Sequence, residues 1–145
     1  MRPVPVLELD MMIAFVNSAD RLHNVASNVF DKIVRGELGN AAIPCSAYME
    51  YELILKSRGY SEEEVRLDLE AFRSLKNLGE VPLTLNILLT ASRLRAMYGL
   101  SYFDSLHAAS ALAYDKVIIS VDKAYERIPE LKVMDPRKIT GPERS

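Results

Sequence analysis

No apolar run in this chain reaches the roughly 18 residues that a membrane-spanning helix needs, and its first residues lack the basic-then-apolar layout of a secretory signal. The expectation is a cytoplasmic protein with no membrane segment. Cysteine is nearly missing: Cys45 stands alone, so no intrachain disulfide can form, and its apolar neighbourhood marks a small buried side chain rather than a nucleophile. An excess of charge is missing too. The formal net charge is -2, so the broad basic surface that announces many nucleic-acid binders is not there, although a near-neutral total still permits an acidic cleft rimmed by cations. No internal repeat, dividing linker or Gly-rich phosphate cradle is visible. What remains, 145 residues with 49% hydrophobic and 26% charged side chains, suits one domain over residues 1–135 followed by a polar tail over 136–145.

The apolar pattern predicts short strands separated by helices. Val4 to Leu9 reads as a buried strand closed by Asp10, with a short helix over Met11 to Val16. From Arg21 to Arg35 apolar residues recur at helical spacing until Gly36 and Gly39 stop them. Ala41 to Cys45 is a second strand, and Ser46 opens a helix towards Ser57. Ser61 and Glu64 form a capping box for a helix reaching Asn77, whose charged face, Glu62, Glu63, Arg66, Asp68 and Arg73, is expected to be solvated. Gly79 and Pro82 read as a break. Thr84 then caps a helix to Tyr98, Phe103 to Tyr114 is another, Val117 to Ser120 is a strand, Ala124 to Ile128 a short helix and Lys132 to Met134 an edge strand. Alternation of this kind predicts an α/β domain with a mainly parallel sheet between helical layers.

Open parallel sheets bind ligands at the carboxyl ends of their strands, and four acids fall there. Asp10 follows the first strand, Asp122 lies two residues beyond Ser120, Asp104 opens a helix, and Glu52 follows the second strand by about two helical turns. Each has an ordinary alternative as a cap, a turn or a helix-terminal charge; the conjunction is what points to a site. Two carboxylates about 4 Å apart repel by about 4 kcal/mol at an effective dielectric near 20, which protons or a divalent cation must relieve. With one Cys and two His in the chain, an all-oxygen site for Mg2+ or Mn2+ fits better than zinc, and such a site suits phosphodiester hydrolysis.

Four segments resemble the PIN-domain family, in particular its small stand-alone toxins of VapC type. Leu100-Ser101-Tyr102-Phe103-Asp104-Ser105-Leu106-His107-Ala108-Ala109 is similar to the family's acid-led, Ala-rich helix. Val6 to Asp10 resembles the opening strand and its acid, Val117 to Tyr125 the final strand and the acid beyond it, and Leu131 to Pro136 the closing strand. The second acid has two candidates, Glu50 and Glu52, half a turn apart on one helix; aligning Ser46 with the small polar residue often found six places before the family's glutamate selects Glu52. The chain departs from the pattern at Met11 and Met12, where a small polar residue is usual, and at Lys123 and Ala124, where some members have a further acid.

The resemblance implies a three-layer α/β/α fold and an endoribonuclease leaving a 5′-phosphate and a 3′-hydroxyl. Asp10, Glu52, Asp104 and Asp122 would hold Mg2+ or Mn2+, directly or through water. It further implies a homodimer and an antitoxin partner. His107 shares the helix face of Asp104, as an aid to substrate binding or a hydrogen-bonded core residue. Arg93, Arg95, Lys56, Arg58 and Lys123 are candidates for phosphate contact. The competing reading is a PIN-like module of weakened catalysis that binds RNA or protein; a third is a phosphatase-like site for small molecules.

Overall fold

A computed structural model describes residues 3–139. Five short strands, β1 (Val6–Leu7), β2 (Ala42–Pro44), β3 (Gly79–Val81), β4 (Val117–Ile119) and β5 (Lys132–Met134), pair in parallel in the order β3-β2-β1-β4-β5. Six helices surround them: α1 (Leu9–Val16), α2 (His23–Val34), α3 (Cys45–Ser57), α4 (Glu62–Arg73), α5 (Leu85–Tyr98) and α6 (Tyr102–Leu112). The result is the expected α/β/α sandwich.

Strand alternation assigns the layers. Leu7, Ile43 and Ile119 belong to a core with α1 to α4, while Val6, Ala42 and Ile118 belong to one with α5 and α6. Phe72 of α4 is the hub of the first core, with Tyr51 edge-on at 5.7 Å and Phe30, Tyr48 and Phe15 at 6.0–6.2 Å between ring centroids. Met11 and Met12 are fully buried there, so their flexible thioethers fill the core rather than face the solvent. The chain leaves β1 for β2 and β3 on one side and returns to β4 on the other. That reversal opens a crevice at the carboxyl ends of β1 and β4.

Several boundaries differ from expectation. The first strand is only two residues long, because Glu8 already caps α1. β3 was not anticipated: two of its three residues, Gly79 and Glu80, are exposed on the sheet's edge, so no apolar pattern marks it. The capping box of α4 forms, with Glu64 N donating to Ser61 Oγ at 3.1 Å and Ser61 N donating to Glu64 Oε1 at 3.0 Å. This helix stops at Arg73 rather than Asn77, however, since Asn77 turns to φ 63° and donates its amide to Val34 O. Asp68 is not simply solvated either, because it accepts a 2.6 Å hydrogen bond from Tyr51 Oη. Residues 136–139 are no free tail: Pro136–Lys138 is a 3-10 turn with Pro136 buried, and Asn28 donates to Ile139 O. Residues 140–145 of the expected tail lie outside the described residues. Among the described residues, no helix is long and apolar enough to cross a membrane.

Candidate active site

Where β1 ends, Glu8 is extended and its Oε1 accepts from Asp10 N at 3.2 Å, capping α1 and holding Asp10 in the first helical turn. Beside it, where β4 ends, Ser120 Oγ donates to the same Oε1 at 3.2 Å and accepts from Asp122 N at 3.0 Å. Asp122 in turn caps the 3-10 turn Lys123–Arg127 through Ala124 N. Tyr125 of that turn aims its hydroxyl between Glu8 Oε2 at 3.5 Å and Asp104 Oδ1 at 3.3 Å. Asp104 sits in the first turn of α6, whose N-cap Ser101 accepts from its backbone N–H. The fifth acid comes from α3: Glu50 Oε1 lies 2.8 Å from His107 Nε2, one turn along α6 from Asp104.

These carboxylates act on one another. Burial pushes Glu8 well above the ordinary carboxylate range; Asp10 and Asp104 add to the rise, against the hydrogen bonds from Ser120 and Asp10 N. Burial also raises Asp10, opposed by its hydrogen bond with Glu8 and reinforced by the charges of Asp122, Asp104 and Glu50. The Tyr125 hydroxyl is raised far beyond its usual range, chiefly by burial and then by Glu8, Asp104 and Asp122, so it remains a donor. Among the described residues no Lys or Arg pairs with any of the five acids.

Asp10, Asp104 and Asp122 therefore share one crevice. Glu52 does not join them. It lines a separate groove with Cys45, Tyr48, Arg73 and Glu80, where its charge helps to raise the Cys45 thiol after burial and Glu80. Glu50 occupies the place expected of Glu52, for a geometric reason. Taking about 100° per residue, the buried residues Ser46, Ala47, Tyr51 and Leu55 lie at about 0°, 100°, 140° and 180°, and Glu50 at about 40° falls within that arc. Glu52, at about 240°, falls outside it. Sequence reading also missed Glu8. The signal was an acid embedded in an apolar run, and it is only 3% exposed. Of the cations proposed for phosphate contact, Lys56 is paired with Glu62, and Arg95 donates to Ser105 Oγ at 2.8 Å beneath the Tyr102 ring. Lys123 is exposed next to Asp122.

The donor set suits a hard divalent cation: five carboxylates, all oxygen, which no Lys or Arg among the described residues pairs with. Among the described residues no three His, Cys, Asp or Glu side chains already form a metal-holding group. Mg2+, which keeps several of its waters, is suited to bridging such gaps through them.

A doubly wound parallel sheet with acids gathered at its switch point defines the class. The PIN domain family profile matches residues 10–131, and the chain belongs to the PIN domain family. Solved structures of the same fold include VapBC2 from Rickettsia felis bound to a promoter DNA fragment, at 17% identity and TM-score 0.71 over 90% of this chain and 97% of that one. FitAcB from Neisseria gonorrhoeae aligns at 11% identity and TM-score 0.70 over 94% and 100% of the two chains. VapBC-1 from nontypeable Haemophilus influenzae aligns at 19% and 0.65 over 93% and 99%. Comparison with curated proteins gives no match.

Proposed function

We propose that this chain is a divalent-cation-dependent endoribonuclease and the toxin of a toxin–antitoxin pair. The observation that carries the reading is the five-acid crevice at the switch point, buried on the Glu8 side and, among the described residues, without a Lys or Arg partner. Membership of a family whose domains are generally nucleases supports the reaction type. The antitoxin is supported by fold neighbours solved as toxin–antitoxin complexes. An RNA substrate, a homodimer and a cytoplasmic setting complete the reading.

Asp10, Glu50, Asp104 and Asp122 would hold Mg2+ or Mn2+, with Glu8 beneath them; Glu50 replaces Glu52 in this role. The cation supplies charge stabilisation at a phosphoryl oxygen and lowers the pKa of a bound water. The protein's part is arrangement. Ser120 and Tyr125 hold Glu8, and Tyr125 also holds Asp104, so two acids from different layers share one donor. Lys123, exposed beside Asp122, is placed to meet a phosphate.

A binding module of weakened catalysis is the second reading, motivated by Met11 and Met12. Both side chains pack into the core. Purified protein incubated with RNA and Mn2+ distinguishes the two. The nuclease reading expects metal-dependent cleavage that disappears in Asp104→Asn. Cleavage surviving in that variant would refute the site, and a wild type that neither cuts RNA nor binds Mn2+ would leave the binding module. A generic phosphoester in parallel tests the phosphatase-like alternative.

A further inference from the structure

His107 is fully buried and has both ring nitrogens engaged: Nδ1 lies 2.8 Å from Ser46 Oγ and Nε2 lies 2.8 Å from Glu50 Oε1. Both partners come from α3, four residues apart and hence on one face, so a single helix grips the ring at two points. Phe103 lies across the ring, its centroid 6.1 Å away and its plane inclined by 29°. Ser46 is also fully buried, so no substrate reaches its hydroxyl, and this Ser-His-Glu array is not a nucleophilic triad.

We propose that His107 is a positioning residue which holds the Glu50 carboxylate towards the metal crevice, with Ser46 selecting the tautomer in which Nε2 carries the proton. The inference rests on the metal-site reading above and names a residue that acts through Glu50. The proton count argues for it. A Glu50 carboxylate can only accept, so Nε2 must be the donor. Nδ1 of the neutral ring is then an acceptor, and among the described residues Ser46 Oγ has no partner but this nitrogen, so its single proton is committed there. The chain Ser46 to His107 to Glu50 thus runs in one direction. It leaves the second carboxylate oxygen of Glu50, whose side chain is 24% exposed, for the crevice. A rotationally free glutamate on α3 would lose that aim. Outer partners of this kind fix ligand orientation and charge.

The test titrates Mn2+ into folded protein without RNA, by electron paramagnetic resonance, for wild type, His107→Leu, His107→Gln and Ser46→Ala. Circular dichroism confirms that each variant is folded at the temperature used. Leu removes the donor and is expected to weaken Mn2+ binding by about 10- to 100-fold. Gln places an amide donor near the Nε2 position and is expected to recover most of that loss; Ser46→Ala should weaken binding in the same direction but less. A role confined to packing would leave Mn2+ affinity unchanged wherever the protein folds, and would not be rescued by Gln. Nitrogen-15 NMR of wild-type His107 gives a second readout that needs no variant, with the Nε2–H tautomer expected. Leu binding as tightly as wild type, or an Nδ1–H tautomer, overturns the proposal while leaving the metal site intact. Failure of wild type to bind Mn2+ despite the expected tautomer overturns the metal-site reading, and the positioning role with it.

Discussion

Glu8 accepts three hydrogen bonds, from Ser120, Asp10 N and Tyr125, yet burial and neighbouring charge still push it well above the ordinary carboxylate range. The linkage follows directly. Above the unfolded carboxylate pKa of about 4.3 the unfolded chain has released this proton while the folded chain retains it, so stability falls as pH rises until the folded pKa is passed. In EDTA, the urea midpoint is expected to decline from about pH 4.5 towards neutrality. Glu8→Gln, which keeps an oxygen acceptor without the charge, should flatten that decline and be the more stable protein at pH 7; an equally steep decline in the variant would show that another group is responsible. The glutamates of α3 provide a second contrast. Glu50→Gln should abolish Mn2+-dependent cleavage and Glu52→Gln should leave it near wild type, and the reverse result would restore the alignment's choice. Residue spacing from Ser46 does not separate the two glutamates, because they differ in helical phase, and the phase is legible only from the burial of Ser46, Ala47, Tyr51 and Leu55.

Among the elements, those read correctly from sequence are the ones whose own residues determine them. The α4 capping box and the Gly99 stop of α5, at φ 68°, are local chemistry. β3 and the early end of α4 depend on partners far along the chain: Gly79 N pairs with Ala41 O, and Asn77 is drawn to Val34. Propensity cannot anticipate either. The same division sets expected energies. Ser61→Ala should cost about 1 kcal/mol, since it removes one exposed cap. Phe72→Ala, which empties the centre of an aromatic cluster, should cost about 3–5 kcal/mol. Denaturant melts of both variants check the order, and since α4 supplies none of the five acids, Mn2+ affinity of either variant while folded should match wild type.

At the scale of the whole molecule, the strand order makes the site legible before any side chain is placed. Residues following β1 and β4 must meet at the switch point, so Asp10 and Asp122 were located by topology alone. Glu50 and Asp104 arrive from helices in opposite layers, so the crevice is where the two halves of the sandwich are joined by like charges. Such a junction is a weak point without a counter-ion. A cation bound only by the folded state adds RT ln(1 + [L]/Kd), about 2.7 kcal/mol at about 100 times Kd. For a domain of this size that is a rise on the order of 5–15 °C in Tm. Thermal melts with Mn2+ and with EDTA should show that rise, and Asp104→Asn should lose most of it while melting in EDTA at or above the wild-type temperature, because one repelling charge is gone. Identical melts of the wild type with and without Mn2+ would mean that no cation joins the layers, and that protons alone relieve the crevice.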